Sequence, residues 1–179
     1  MSASFVLLLT FAALAPLDGL YLHLWRYRLH ARAESRREHA LHTARALLFP
    51  VILVLLYGGS SSGWPLLLGA VLVAADVAIQ AADMWVEPAS RAGLGGLSSF
   101  ESVLHGVLIT IGSASLALML GSRPVSAWSL AAAPTLGPSH GPFAEQVVGM
   151  LLPGAVLIAG LHLYLWLRPA SLIEEGARS

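Results

Sequence analysis

Five stretches of this chain are apolar for long enough to cross a lipid bilayer, and that limits the fold more than any other feature. A spanning helix needs about 20 predominantly apolar residues to match a hydrocarbon layer about 30 Å thick. The stretches cover residues 3–25, 39–57, 64–86, 102–120 and 146–167. In the second, the purely apolar part is 46–57, so its polar first turns must complete the crossing. The runs are continuous and do not alternate with period two, which argues against a transmembrane strand barrel. The expected fold is all-α: a polytopic membrane helix bundle of about five helices, one domain over 1–179.

Composition agrees. Of 179 residues, 56% are hydrophobic and 11% charged, where a soluble domain carries about 25% charged residues. Net charge is zero, which gives no reason to expect a nucleic-acid partner. With no Cys, disulfides, thiolate metal sites and cysteine nucleophiles are excluded. Residues 4–16 resemble a secretory hydrophobic region ending in Ala13-Leu14-Ala15. No positive charge precedes them and the apolar run continues to Trp25, so a retained first helix is expected.

The connections set the orientation. Gly58 to Gly63 reads as a tight polar turn, Pro88 to Ser99 as a structured loop, and 121–143 as a long outer loop of little regular structure. All ten basic residues are Arg. Arg26, Arg28, Arg32, Arg36, Arg37, Arg45, Arg91, Arg168 and Arg178 fall on one side, and only Arg123 on the other. By the positive-inside rule the N-terminus is outside and the C-terminus cytoplasmic, as in a bacterial inner membrane. Trp25, Trp85 and Trp166 then form an aromatic belt at the inner interface. Glu34, Glu174 and Glu175 read as solvated surface charges.

A weak internal repeat runs through the first four helices. Asp18, Glu34-Ser35-Arg36 and the pair Glu38/His42 are matched by Asp76, Glu87 with Ser90-Arg91, and Glu101/His105. This predicts two parallel helical-hairpin repeats followed by a fifth helix.

Ionisable groups inside spanning helices cost roughly 2.5–3.5 kcal/mol each on insertion scales, so they face the bundle interior and commonly have a function. This chain places Asp18 and His23 in the first helix and His39, His42 and Arg45 in the second. Asp76, Gln80, Asp83 and Glu87 form one stripe along the third, Glu101 and His105 open the fourth, and His162 lies in the fifth. Most lie near the Arg-rich end; Asp76 is deepest, about 15 Å in at 1.5 Å per residue. The outer half of every helix reads as apolar.

Carboxylates and imidazoles at one level suit a metal. The expected ligands are Glu38, His42, Glu101 and His105, with Asp18, Asp76 and Asp83 completing the set. His23, His39, Glu87, Arg91 and His162 are expected in supporting positions, with Arg91 closing the third loop onto Glu87. Carboxylate-bridged di-metal sites in soluble helix bundles use Glu-x-x-His pairs. The i,i+4 pairs here share only that architecture. Iron or zinc is the expected cofactor. No nucleotide cofactor is expected, because Gly95-Gly96 lacks the flanking strand of a phosphate cradle.

The reading is a membrane-embedded metal-dependent enzyme, an oxidoreductase with iron or a hydrolase with zinc, acting on a lipid or other apolar molecule. The alternatives are a proton or ion relay along Asp76, Gln80, Asp83 and Glu87, a b-haem protein ligated by His42 and His105, and a structural polar network. Membrane lipids are the only other partners expected.

Overall fold

A computed structural model describes residues 2–168. Glu174, Glu175 and Arg178 lie outside the described residues. Among the described residues five long helices and no strand are present: α1 (Ser2–Pro16), α2 (Arg36–Ile52), α3 (Trp64–Arg91), α4 (Ser99–Gly121) and α5 (Pro142–Leu167). Each helical unit is long and apolar enough to cross a membrane. The protein is an all-α membrane helix bundle.

Two helices change pitch partway. After Pro16, α1 continues as a π-helix over Leu17–Arg26, and after Pro50, α2 continues as one over Leu53–Tyr57. Proline lacks an N–H, and removing one rung of the ladder lets the following turns widen. The wider pitch is visible in i→i−5 bonds from Tyr27 N–H to the Leu22 carbonyl (2.9 Å) and from Gly58 N–H to the Leu53 carbonyl (3.0 Å).

Three boundaries differ from the sequence expectation. Helix α3 runs through Pro88 to Arg91, because the Arg91 side chain is anchored in the bundle. Helix α4 begins at Ser99, where the Ser98 hydroxyl accepts a bond from the Glu101 N–H at 3.2 Å. Helix α5 begins at Pro142, since proline suits a first helical turn.

Helix α1 packs chiefly on α4, and α2 on both α3 and α5. An apolar core fills one end of the bundle, where Phe5, Leu53, Leu56, Tyr57, Leu66 and Met119 are buried together. The opposite end, next to the Arg-rich segment, is polar inside. Outward, Val71, Val103 and Leu157 are 63%, 65% and 74% exposed. Apolar outside and charged inside inverts the soluble pattern, and only hydrocarbon as solvent makes that arrangement favourable.

Close approach fixes the α2–α3 crossing at Gly69. A Cβ there would lie 2.6 Å from Leu56 Cδ2, and Leu56 is itself fully buried. Gly69→Leu should therefore destabilise the bundle by about 1–3 kcal/mol through overpacking, read as a lower thermal midpoint in detergent.

The 121–143 connection is more ordered than expected. It contains a short 3₁₀ turn over Val125–Trp128 and is strapped to the Gly58–Gly63 turn. Ser62 N–H donates to the Thr135 carbonyl at 3.1 Å, and Gly63 N–H to the Ala127 carbonyl at 2.9 Å. Gly137 has φ +52°, and a Cβ there would strike the Ser60 backbone. Arg123 donates to the Leu56 and Gly59 carbonyls at 2.5 and 3.0 Å, capping the end of the second span.

Arg123 also donates to His140 Nε2 at 3.2 Å, which needs a neutral imidazole there. Burial and then the adjacent guanidinium hold the His140 pKa below its usual value. A histidine with a depressed folded pKa favours the native state when neutral, so that contribution is lost as pH falls below about 6.5. Amide protection factors in the 134–141 segment, taken relative to the intrinsic exchange rate at each pH, should fall on acidification. His140→Gln, which accepts the same bond without titrating, should flatten that dependence.

Candidate metal centre

At the polar end, α1, α2, α3 and α4 direct side chains to one point. Asp18, Glu38, Asp83, Glu87 and Glu101 are each less than a tenth exposed, and so are His23 and Arg91. Arg91 is fully buried and bridges two halves. Its Nη1 donates to Glu38 Oε2 at 2.7 Å, and its Nη2 and Nε donate to Glu101 Oε1 at 2.6 and 3.0 Å. The guanidinium also lies over the Tyr27 ring, 4.8 Å from its centre. The expected pairing of Arg91 with Glu87 is present at 4.0 Å, and the two glutamates that open α2 and α4 are its shorter partners.

The histidine–aspartate contacts are reciprocal. His105 of α4 meets Asp18 of the first span at 2.6 Å. His42 of α2 lies 3.0 Å from Asp83 of α3. Each hairpin thus supplies the aspartate for the other hairpin's histidine. His105 Nδ1 additionally lies 3.0 Å from Glu87. By position Asp18 is the counterpart of Asp83, not of Asp76. One turn further on, His23 corresponds to Glu87, five residues after its aspartate instead of four. The π-helical pitch of Leu17–Arg26 absorbs the extra residue and keeps Asp18 and His23 on one side.

His23 sits at the centre, not in the supporting position expected for it. Its Nε2 lies 3.5 Å from Asp18, 3.8 Å from Glu101 and 4.0 Å from Glu38. Its ring centre is 4.0 Å from that of His42 and 5.5 Å from that of His105. Yet neither ring nitrogen makes a hydrogen bond. Glu38 Oε1, Glu87 Oε1, Glu101 Oε2, Asp83 Oδ1 and His42 Nε2 are likewise buried without a hydrogen-bond partner. The 3.0 Å His42–Asp83 contact is short but lies off the direction a hydrogen bond requires. Buried polar atoms are nearly always satisfied, and several of these orphans belong to groups of side chains that could hold a cation.

Two sets of donor atoms are close enough to share an ion: His23, Glu87, Glu101 and His105, and His23, Glu38 and His42. They meet at His23. This nitrogen and oxygen donor set fits iron, zinc or manganese. The formal charge agrees, for five buried carboxylates face one buried guanidinium. The surplus of four negative charges could not stay in a dry interior without cations or protons.

The remaining residues fall elsewhere. Asp76 is not with the cluster: it pairs with Arg45 (Nε to Oδ1, 3.0 Å), and Gln80 accepts from Arg45 Nη2 at 3.2 Å. His39 and His162 stack on each other with ring centres 5.4 Å apart, on the α5 side of α2. Nor is the outer half wholly apolar. The Ser4 hydroxyl donates to the Ser115 carbonyl at 2.9 Å, and Tyr57 Oη is 2.6 Å from Ser115 Oγ. Tyr27, with no distinguishing pattern in the sequence, is the site residue that sequence reasoning missed. No family model, curated protein or solved structure matches the chain.

Proposed function

We propose that this protein is a membrane-embedded metal-dependent enzyme whose centre lies near the cytoplasmic leaflet and acts on a lipid or other apolar molecule. The observation that carries the reading is the set of partnerless buried donors around His23. Glu38, His42, Glu87, Glu101, His105 and His23 are the assigned ligands. Asp18 would orient His105 through Nε2, as carboxylates do behind ligating imidazoles, and Asp83 stands 3.0 Å from His42 Nε2 as a further carboxylate at the centre. Arg91 fixes the spacing of Glu38 and Glu101 from behind. Two divalent ions would balance the cluster's formal charge. Bound iron would supply oxygen-dependent hydroxylation or desaturation, and bound zinc an activated water for hydrolysis.

Placing the Arg-rich end in the cytoplasm follows the positive-inside rule, with the N-terminus outside a bacterial inner membrane. The substrate would reach the centre from the bilayer, because a largely apolar cavity of about 360 Å³ leads from Asp18, His42, Asp83 and His105 into the bundle.

A proton-relay reading draws on one observation: the same cavity extends to Tyr57 and Ser115. The intervening lining is mostly apolar, which favours substrate over protons. The test is mass spectrometry of a bacterial lipid extract incubated with iron-loaded and with zinc-loaded protein. A hydroxylated, desaturated or hydrolysed species should appear, and should vanish in His42→Ala and His105→Ala. An unchanged extract together with proton flux in liposomes would overturn the enzyme.

A further inference from the structure

Close to the metal centre the cavity holds a charged group that the centre does not use. Arg45, Asp76 and Gln80 project into the cavity, three residues beyond His42 on α2 and seven before Asp83 on α3. That separation places the trio about 5–10 Å from the centre along the helices. Past it the lining is mostly apolar, with Leu8, Phe11, Phe49, Ile52, Leu108 and Leu116, and the hydroxyls of Tyr57 and Ser115 lie at the far end. Val77, Met84 and Met150 also line the cavity, and they are 51%, 54% and 64% exposed on the bundle's side. The cavity therefore opens sideways, at a depth where the surroundings are hydrocarbon.

Arg45 uses Nε and Nη2 on Asp76 and Gln80. Among the described residues its Nη1 makes no hydrogen bond, which leaves one donor for a ligand oxygen. Its charge is matched by Asp76, which disfavours an anionic head group. A carboxylate placed there would be left without a countercharge, whereas a hydroxyl or carbonyl oxygen accepts from Nη1 without adding charge.

Resting on the metal-enzyme reading and extending it to the substrate, we propose that the cavity binds a neutral single-chain amphiphile with one oxygen on Arg45. Its apolar tail points away from the metal centre toward Ile52 and Leu116. The end that meets the metal is then the oxygen-bearing end, so the chemistry falls on the head of the chain and not at its middle. Arg45 is a positioning residue, held in place by Asp76 and Gln80.

Native mass spectrometry of detergent-purified protein tests this with dodecan-1-ol, dodecanoate and dodecane as probes. Dodecan-1-ol should bind at least tenfold more tightly than dodecanoate or dodecane. A Cβ on Gly154, which lines the cavity, meets nothing within 4 Å, so Gly154→Phe should fold and block all binding. The double variant Arg45→Leu/Asp76→Leu, which leaves no charge unpaired, should bind dodecan-1-ol no better than dodecane. Equal binding of alcohol and alkane by the unaltered protein, or undiminished binding by Gly154→Phe, would overturn the proposal. Metal content of the same samples is counted separately. Metal-loaded protein that ignores the alcohol sinks this inference alone, while metal-free protein that binds it keeps the binding site but removes the enzyme and, with it, the chemistry at the head of the chain.

Discussion

Arg91→Leu should yield little folded protein, because it strands Glu38 and Glu101 at the centre of the bundle. Both carboxylates are almost fully buried and each takes a 2.6–2.7 Å bond from Arg91. Removing one partner of a buried ionic group costs about 3–5 kcal/mol, since the other charge stays desolvated and unpaired. Total stabilities of about 5–15 kcal/mol leave small room for that loss. The triple variant Arg91→Leu/Glu38→Gln/Glu101→Gln removes the charges together and should recover most of the monodisperse protein, while losing metal. Size-exclusion profiles and thermal midpoints distinguish the cases. A single variant as stable as the unaltered protein would show that Arg91 is not what holds the two halves together.

Stripping the metal should produce the second large effect. An ion that binds only the folded state stabilises it by RT ln(1 + [L]/Kd), about 4 kcal/mol at a thousandfold excess over Kd. For a chain of this size that corresponds to a thermal shift of about 10 °C. Chelation should lower the midpoint by that order, and zinc or ferrous iron should restore it. His23→Ala should abolish the response, because both groups of potential ligands share that imidazole. Arg45→Leu/Asp76→Leu should retain it, since that pair stands apart from both groups.

Much of this architecture was legible in the sequence because hydrocarbon imposes simple rules. Long apolar runs gave five helices, and the scarcity of charge inside them pointed to the residues with work to do. Glu38, His42, Glu101 and His105 sit on shared helical faces at i,i+4, a spacing that any α-helix converts into proximity. His23 was undervalued for the complementary reason. It lies five residues after Asp18, which an α-helix would turn off the shared face, and only the widened pitch after Pro16 returns it. Asp76 was overvalued because it continues the stripe of Asp83 and Glu87. A stripe shows which side faces inward, but the partner on the next helix decides the role, and that partner is Arg45. The crossed pairs Asp18–His105 and Asp83–His42 depend on how α1 meets α4 and α2 meets α3, which local spacing does not encode.

Counting metal atoms per chain by elemental analysis is the most direct test, on protein purified from cells and washed with a weak chelator. About one to two divalent ions per chain are expected, as in carboxylate and histidine helix-bundle sites, with near-complete loss in folded His23→Ala. Folded unaltered protein that carries no metal and takes up neither iron nor zinc would contradict it, as would a His23→Ala variant that keeps its full complement.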